Sequence, residues 1–119
     1  MQISPRLLFA IAGLLFAAIV LWPLGPGGQA SAIGQARALV GQDRVILFSA
    51  PWCGYCDRLR ADFQRHGVAF AEKDIESSSA GHKAWRGLGG RGVPLTLVDQ
   101  AVHTGYDPGL ALRLAGSQR

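Results

Sequence analysis

The sequence contains little cysteine: Cys53 and Cys56 are the only two in 119 residues, three positions apart. A structural zinc site usually takes four Cys or His ligands, yet His66, His82 and His103 are scattered rather than set at finger-like spacing. A static structural disulfide would stabilise the chain little, because the loop that it closes is very short. These absences leave a redox role as the main prediction for the cysteine pair, with no metal site.

Charge is also sparse. The net charge is +4 and unclustered, which argues against a nucleic-acid partner. No charged residue lies between Arg6 and Arg37, and this gap contains an unbroken apolar run from Leu7 to Trp22. We therefore predict an N-terminal membrane anchor or signal segment over residues 1–24, contacting the membrane through residues 7–22.

Two interpretations of this segment remain open. An uncleaved transmembrane anchor is favoured by the length of the run, whereas Ala30-Ser31-Ala32 offers a signal-cleavage pattern some residues beyond it. With Arg6 as the only charge before the run, the positive-inside rule places the remaining chain outside the cytoplasm in either case. We expect a membrane-anchored domain facing the periplasm or cell exterior, or a cleaved and secreted form.

The cysteine pair follows a predicted strand and opens a predicted helix. Residues 44–49 form an apolar run rich in β-branched and aromatic side chains, and residues 54–66 have apolar side chains at helical spacing. Unpaired N–H groups and the helix dipole at a helix N-terminus favour a thiolate, so Cys53 is the candidate nucleophile. Cys56, about one helical turn further, is the candidate resolving thiol.

The remaining pattern predicts one α/β domain over residues 43–119, after a linker at 25–42 that is partly helical. A helix with Trp85 in the core follows the second strand, and Pro108 is expected to be the first residue of the last helix. The predicted order is β-α-β-α-β-β-α, a mixed four-stranded sheet flanked by helices. The elements after the cysteine helix are a strand at 68–75, a helix at 80–88, strands at 93–98 and 101–104, and a helix at 108–114.

With these elements placed, residues 44–116 resemble the glutaredoxin family of the thioredoxin-fold superfamily. Three motifs carry the resemblance: Trp52-Cys53-Gly54-Tyr55-Cys56, Gly92-Val93-Pro94 and Gly105-Tyr106-Asp107. It implies that Pro94 is cis and faces the cysteines, and that Val93 offers its backbone to the substrate; a plain edge-strand proline is the alternative. The substrate-binding residues that it implies are Trp52, Tyr55, Val93, Pro94, Gly105, Tyr106 and Asp107.

The family usually has a Gly-Gly pair before the last helix for glutathione, whereas this chain has Thr104-Gly105. We therefore expect weak activity with glutathione and a protein dithiol as the electron source. Asp107 either binds a glutathione amino group or caps the last helix. On the first helix, charges including Arg60 and Asp62 predict a solvated face. Arg91 is predicted to be a free surface arginine, and contact with a substrate carboxylate is the alternative because it lies close to Val93.

The predicted function is that of a thiol-disulfide oxidoreductase acting on protein or glutathione mixed disulfides. No permanently bound cofactor is expected, and glutathione is a candidate co-substrate. The alternative is an iron-sulfur cluster scaffold or carrier, because Gly54 leaves the cysteine dipeptide without proline, as in cluster-binding members of the family.

Overall fold

The structure is a computed structural model that describes residues 2–21 and 27–118. The chain divides between Ser31 and Ala32 into two compact units. The helices are α1 (Pro5–Leu21), α2 (Gly27–Val40), α3 (Gly54–Arg65), α4 (Ser79–Gly87) and α5 (Leu110–Ser117). The strands are β1 (Val45–Ser49), β2 (Ala71–Asp74), β3 (Leu95–Val98) and β4 (Ala101–Thr104).

The strands form one mixed sheet in the order β2-β1-β3-β4. Strand β1 pairs parallel with β2 and antiparallel with β3, which pairs antiparallel with β4. The parallel pair is joined by α3, as a βαβ connection requires. All five residues of β1 are buried, because β2 and β3 flank the strand and side chains pack on both faces of the sheet. The predicted four-stranded α/β fold is confirmed.

Each face of the sheet has its own core, because side chains alternate along a strand. On one face Ile46 and Phe48 pack in a cluster with both cysteines and Trp85, as predicted for Trp85. On the other face Val45 and Leu47 pack with α3 and α5, through buried side chains that include Leu59, Phe63, Leu110 and Leu114. The cysteine pair is therefore fixed against the core at one end of the central strand.

Helix α1 lies within the segment for which a membrane anchor or signal segment is predicted. It has 17 residues, fewer than the roughly 20 that span a bilayer. Among residues 2–21 and 27–118, no helix combines the length and apolar character that a membrane crossing needs. The predicted transmembrane helix is thus not supported by the described residues, and Trp22, at the end of the predicted run, lies outside them.

Helix α2 lies within the predicted linker at 25–42, which is expected to be partly helical. Its glycine content suggested an unpacked segment, but the helix runs from Gly27, and Ile33, Ala36 and Val40 are buried. These positions are three and four residues apart, so they share one helix face. Arg37 lies on the same face, and its guanidinium donates hydrogen bonds to the backbone carbonyls of Asp43 and Asp99. The packed part of the domain therefore begins before residue 43.

Two predicted boundaries also move. Helix α5 begins at Leu110 rather than at Pro108, because the Asp107 side chain accepts the N–H of Gly109 and forms a turn before the helix. Strand β2 begins at Ala71 rather than at Val68, whose N–H is bonded to the Phe63 carbonyl at the end of α3. Gly67 has a φ of 66°, which confirms it as the residue that ends this helix.

Candidate active site

Cys53 and Cys56 lie at the start of α3, where the chain turns after β1. Cys53 is the N-cap residue with φ −87° and ψ 99°, and its sulfur accepts the N–H of Cys56 at 3.1 Å. The two residues form a disulfide with a Cα–Cα distance of 5.2 Å. Cys53 is 5% exposed and Cys56 is 0% exposed. Both cysteines are therefore buried, and Cys53 keeps the larger exposed fraction of the two.

The peptide bond between Val93 and Pro94 is cis, which confirms the expectation from the resemblance. Val93 is partly buried and packs against the core cluster that contains both cysteines. The carbonyl of Pro94 accepts the N–H of Gly105 at 2.8 Å, and this bond joins the start of β3 to the end of β4. Together with Arg91, Gly92 and Thr104, these residues line an open cleft of about 330 Å³.

Gly105 has a φ of 80°, in the left-handed region that glycine adopts at little cost. The position directly before it is occupied by Thr104, and both residues are exposed on the wall of the cleft. Of the Thr104-Gly105 pair, Gly105 is thus the residue whose backbone conformation favours glycine.

An aromatic stack joins the cysteine motif to the loop after β4. The rings of Tyr55 and Tyr106 lie 5.7 Å apart at an interplanar angle of 25°. The Tyr106 hydroxyl donates a 2.7 Å hydrogen bond to the Asp62 carboxylate, which is also paired with Arg65. The hydrogen bond to Asp62 raises the pKa of Tyr106 above its ordinary value. The stack leaves Tyr55 58% exposed, two residues after Cys53.

Trp52 borders the cysteines on another side. Its ring is 69% exposed, and its Nε1–H donates to Glu76 Oε1 at 2.6 Å. The loop that carries Glu76 is ordered by Asp74, whose carboxylate accepts the N–H groups of Glu76 and Ser77. The arrangement holds the indole at the surface directly before Cys53.

The Asp107 carboxylate is used within the domain. It accepts the N–H of Gly109 and forms an ion pair with Arg113. The pKa of Asp107 lies below its ordinary value, mainly because Arg113 donates a hydrogen bond to the carboxylate and secondly because the Gly109 N–H does. Gly109 is itself the N-cap residue of α5, and α5 has no side-chain cap, so the Asp107 carboxylate forms a turn before the last helix and does not cap it.

Sequence reasoning missed the ion pairs under the cysteine helix. Arg60 donates through Nε and one terminal nitrogen to the two Glu72 oxygens, at 2.6 and 2.7 Å, and Glu72 also accepts from the Ser49 hydroxyl at 3.1 Å. This network ties α3 to the ends of β1 and β2. Asp62, predicted on a solvated face, is buried. Neither contact has a local signal, because Glu72 is 12 residues from Arg60 and Tyr106 is 44 from Asp62.

The structure thus brings together most of the predicted site. The segment around the cysteines contributes Trp52 and Tyr55. The turn before β3 contributes Val93 and Pro94, and the loop after β4 contributes Gly105 and Tyr106. Asp107 is the exception, because its carboxylate is turned toward Arg113. Within residues 2–21 and 27–118, no three His, Cys, Asp or Glu side chains are grouped so that they could hold a metal ion.

A dithiol at a helix N-terminus, beside a cis proline that opens a strand of a mixed sheet, defines a protein of the thioredoxin-like fold. Residues 45–102 match the glutaredoxin family model. Glutaredoxin-C2 of Arabidopsis thaliana is 31% identical over 71 residues, which span 56% of this chain and 64% of that protein. This segment is thus similar to the glutaredoxin family model and to a curated glutaredoxin, of whose length the match spans less than two thirds.

Solved structures agree in fold. A buckwheat glutaredoxin-glutathione complex matches with a TM-score of 0.58 at 22% identity, covering 78% of this chain and 94% of that chain. A thioredoxin-like protein matches with a TM-score of 0.57 at 17% identity, covering 63% of this chain and 97% of that chain. At these identities the structural likeness establishes the thioredoxin-like fold alone.

Proposed function

We propose that this chain is a thiol-disulfide oxidoreductase in which Cys53 is the nucleophile and Cys56 the resolving thiol. The observation that carries the proposal is the N-cap geometry, in which the Cys53 sulfur accepts the N–H of Cys56. In the reduced protein the same N–H and the helix dipole favour a thiolate on Cys53.

The reaction proceeds in two exchanges. The Cys53 thiolate attacks a substrate disulfide, forms a mixed disulfide and releases one substrate sulfur, which takes up a proton. Cys56 then loses its proton and attacks the Cys53 sulfur, which forms the intramolecular disulfide and releases the second substrate thiol. Two electrons pass from the dithiol to the substrate, and the reverse sequence oxidises a substrate dithiol.

The substrate is proposed to lie along Val93 as an extended segment. Among the described residues, neither the Val93 N–H nor its carbonyl has a hydrogen-bond partner, so both are free to pair with a peptide backbone. The exposed rings of Trp52 and Tyr55 border the same place. Glutathione in mixed disulfides is proposed as a further substrate, and the buckwheat neighbour with glutathione supports this choice.

A protein dithiol is proposed as the preferred electron source. Thr104 stands in place of one family glycine, and Asp107 already pairs with Arg113 and Gly109, so its carboxylate has fewer free positions for a glutathione amino group. A reductase-coupled dithiol protein should therefore re-reduce the Cys53-Cys56 disulfide faster than glutathione does.

The test compares three proteins on a peptide-glutathione mixed disulfide: wild type, Cys53→Ser and Cys56→Ser. With a protein dithiol as donor, we expect turnover by wild type only. Absence of exchange by the reduced wild type would contradict the oxidoreductase proposal. With glutathione as donor, efficient turnover by Cys56→Ser would overturn the proposed electron source alone, because a second glutathione would then be resolving the adduct.

We further propose that the domain acts outside the cytoplasm. The support is the apolar run after Arg6 and the absence of other charge before Arg37. A reporter that works only outside the cytoplasm, fused after Arg119, should give signal, and a cytoplasm-only reporter should not. Recovery in the membrane or the soluble fraction separates an anchored form from a cleaved one.

A further inference from the structure

Two arginines lie next to different parts of the candidate active site. Arg58, on α3, has its guanidinium carbon 5.4 Å from the centroid of the Tyr55 ring. Arg91 precedes the cis peptide on the turn between α4 and β3 and lines the cleft with Val93 and Pro94. Both side chains are exposed. Each is thus next to a surface on which the proposed substrate would lie.

Neither guanidinium is neutralised in the part of the chain that the structure describes. Four other arginines form ion pairs with carboxylates: Arg44, Arg60, Arg65 and Arg113. Arg58 and Arg91 form none with a described residue. A small hollow beside the cysteine motif is lined by Gly54, Tyr55 and Arg58, and Arg91 is the one charged residue among those that line the larger cleft.

The acidic groups of the same end of the domain are already engaged. Asp57 pairs with Arg60, Asp62 with Arg65, and Asp107 with Arg113. Glu76 has no cationic partner among the described residues, but it lies on the Trp52 side, where its carboxylate accepts the indole N–H. The field over the two hollows is therefore set by two unopposed positive charges.

We propose that Arg58 and Arg91 select substrates with carboxylate side chains close to the disulfide, so that the preferred substrate is an acidic peptide segment. This inference rests on the proposed oxidoreductase function and specifies its substrate class. Exposed charges act mainly on the rate of encounter, so the preference appears in the second-order rate constant and weakens with salt.

The test uses three peptides in which one cysteine is flanked by two Glu, two Gln or two Lys residues. Each is offered as its mixed disulfide with 2-mercaptoethanol to pre-reduced protein in a single turnover. The protein dithiol is oxidised, and the peptide thiol and mercaptoethanol are released, so no further reductant is needed. Quenched samples analysed by mass spectrometry give the rate constants, and each is divided by that of the Gln peptide. Effects on the thiol itself cancel in this ratio.

We expect the Glu peptide to react roughly threefold to tenfold faster than the Gln peptide at low ionic strength, and the Lys peptide more slowly. Arg58→Glu and Arg91→Glu should each lower the Glu/Gln ratio, and the double variant should invert it. Lys83→Glu is the matched control. It makes the same change in net charge at an exposed residue of α4 that lines neither hollow, and it should leave the ratio close to that of wild type.

A ratio near one in wild type would overturn the inference and leave the oxidoreductase function standing, because exchange itself would be observed. An equal drop in Lys83→Glu would also overturn it, because net charge rather than the two arginines would then be responsible. Dependence on the arginines seen with oxidised glutathione but not with the peptides would assign them to glutathione instead. Absence of exchange with every disulfide would refute the proposed function and this inference with it.

Discussion

Two segments of the domain meet at the candidate active site, and they are held in place in different ways. The start of α3 holds its cysteines through backbone geometry, with Cys53 as N-cap against the N–H of Cys56. The loop between β4 and α5 is held by side chains, through Tyr106 on Asp62 and Asp107 on Arg113. Only the first segment carries a reacting group. We therefore expect substitutions in the first to remove chemistry, and substitutions in the second to change stability and orientation.

The largest effect should come from Cys53→Ser. A serine hydroxyl does not replace the attacking thiolate, so disulfide exchange should fall to the uncatalysed rate. The measurement is reduction of a peptide disulfide by the pre-reduced protein, with circular dichroism to show that the fold is retained. Residual exchange above background would mean that Cys56 attacks substrates directly, and the contrast between the two cysteines would fail.

On the second segment, Tyr106→Phe should lower the free energy of unfolding. It keeps the stack on Tyr55 but removes the hydrogen bond to a carboxylate that is largely buried. Tyr55→Phe is the matched control, because among the described residues the Tyr55 hydroxyl has no hydrogen-bond partner, and it should be nearly neutral. Denaturant unfolding measures both, and equal losses would contradict the account.

The Asp62 contact also gives a titration signal. The hydrogen bond to Asp62 raises the pKa of Tyr106. The stability that this hydrogen bond contributes is therefore present below the ordinary pKa of 10.0 and is lost as pH rises through the raised pKa. Asp62→Asn should move the Tyr106 titration to lower pH. The chain has two tyrosines, so absorbance titration in a Tyr55→Phe background reports Tyr106 alone. An unchanged midpoint of the Tyr106 titration would show that Asp62 does not accept the hydrogen bond of the Tyr106 hydroxyl.

The smallest effect is expected at Asp107. Arg113, and then the Gly109 N–H, lower its pKa below the ordinary value of 3.8, so its contribution to stability is present above that pH and is lost as pH falls through the lowered pKa. Asp107→Asn should make the acid loss of stability less steep in this range and leave neutral-pH activity with a protein dithiol nearly unchanged. A strong loss of that activity would mean that Asp107 binds substrate.

The same contrast explains what could be read from the sequence. The strand before Cys53 and the cysteine helix follow from local patterns, the cis proline is implied by the family resemblance, and the structure confirms all three. The contacts of Asp62, Arg60 and Arg37 could not be predicted, because their partners are distant in sequence or are backbone carbonyls. The packing of helix α2 could not be predicted either, because its buried face contains an arginine and an alanine and its apolar periodicity is therefore weak.

In the proposed function Cys53, the less buried of the two cysteines, attacks the substrate and Cys56 resolves the mixed disulfide. The most direct test is to mix the reduced Cys56→Ser and Cys53→Ser proteins separately with the same peptide disulfide and to measure intact masses over time. The account predicts a stable mixed disulfide on Cys53 in the Cys56→Ser protein and almost none in the Cys53→Ser protein. Rapid, equal adduct formation on both variants would contradict it.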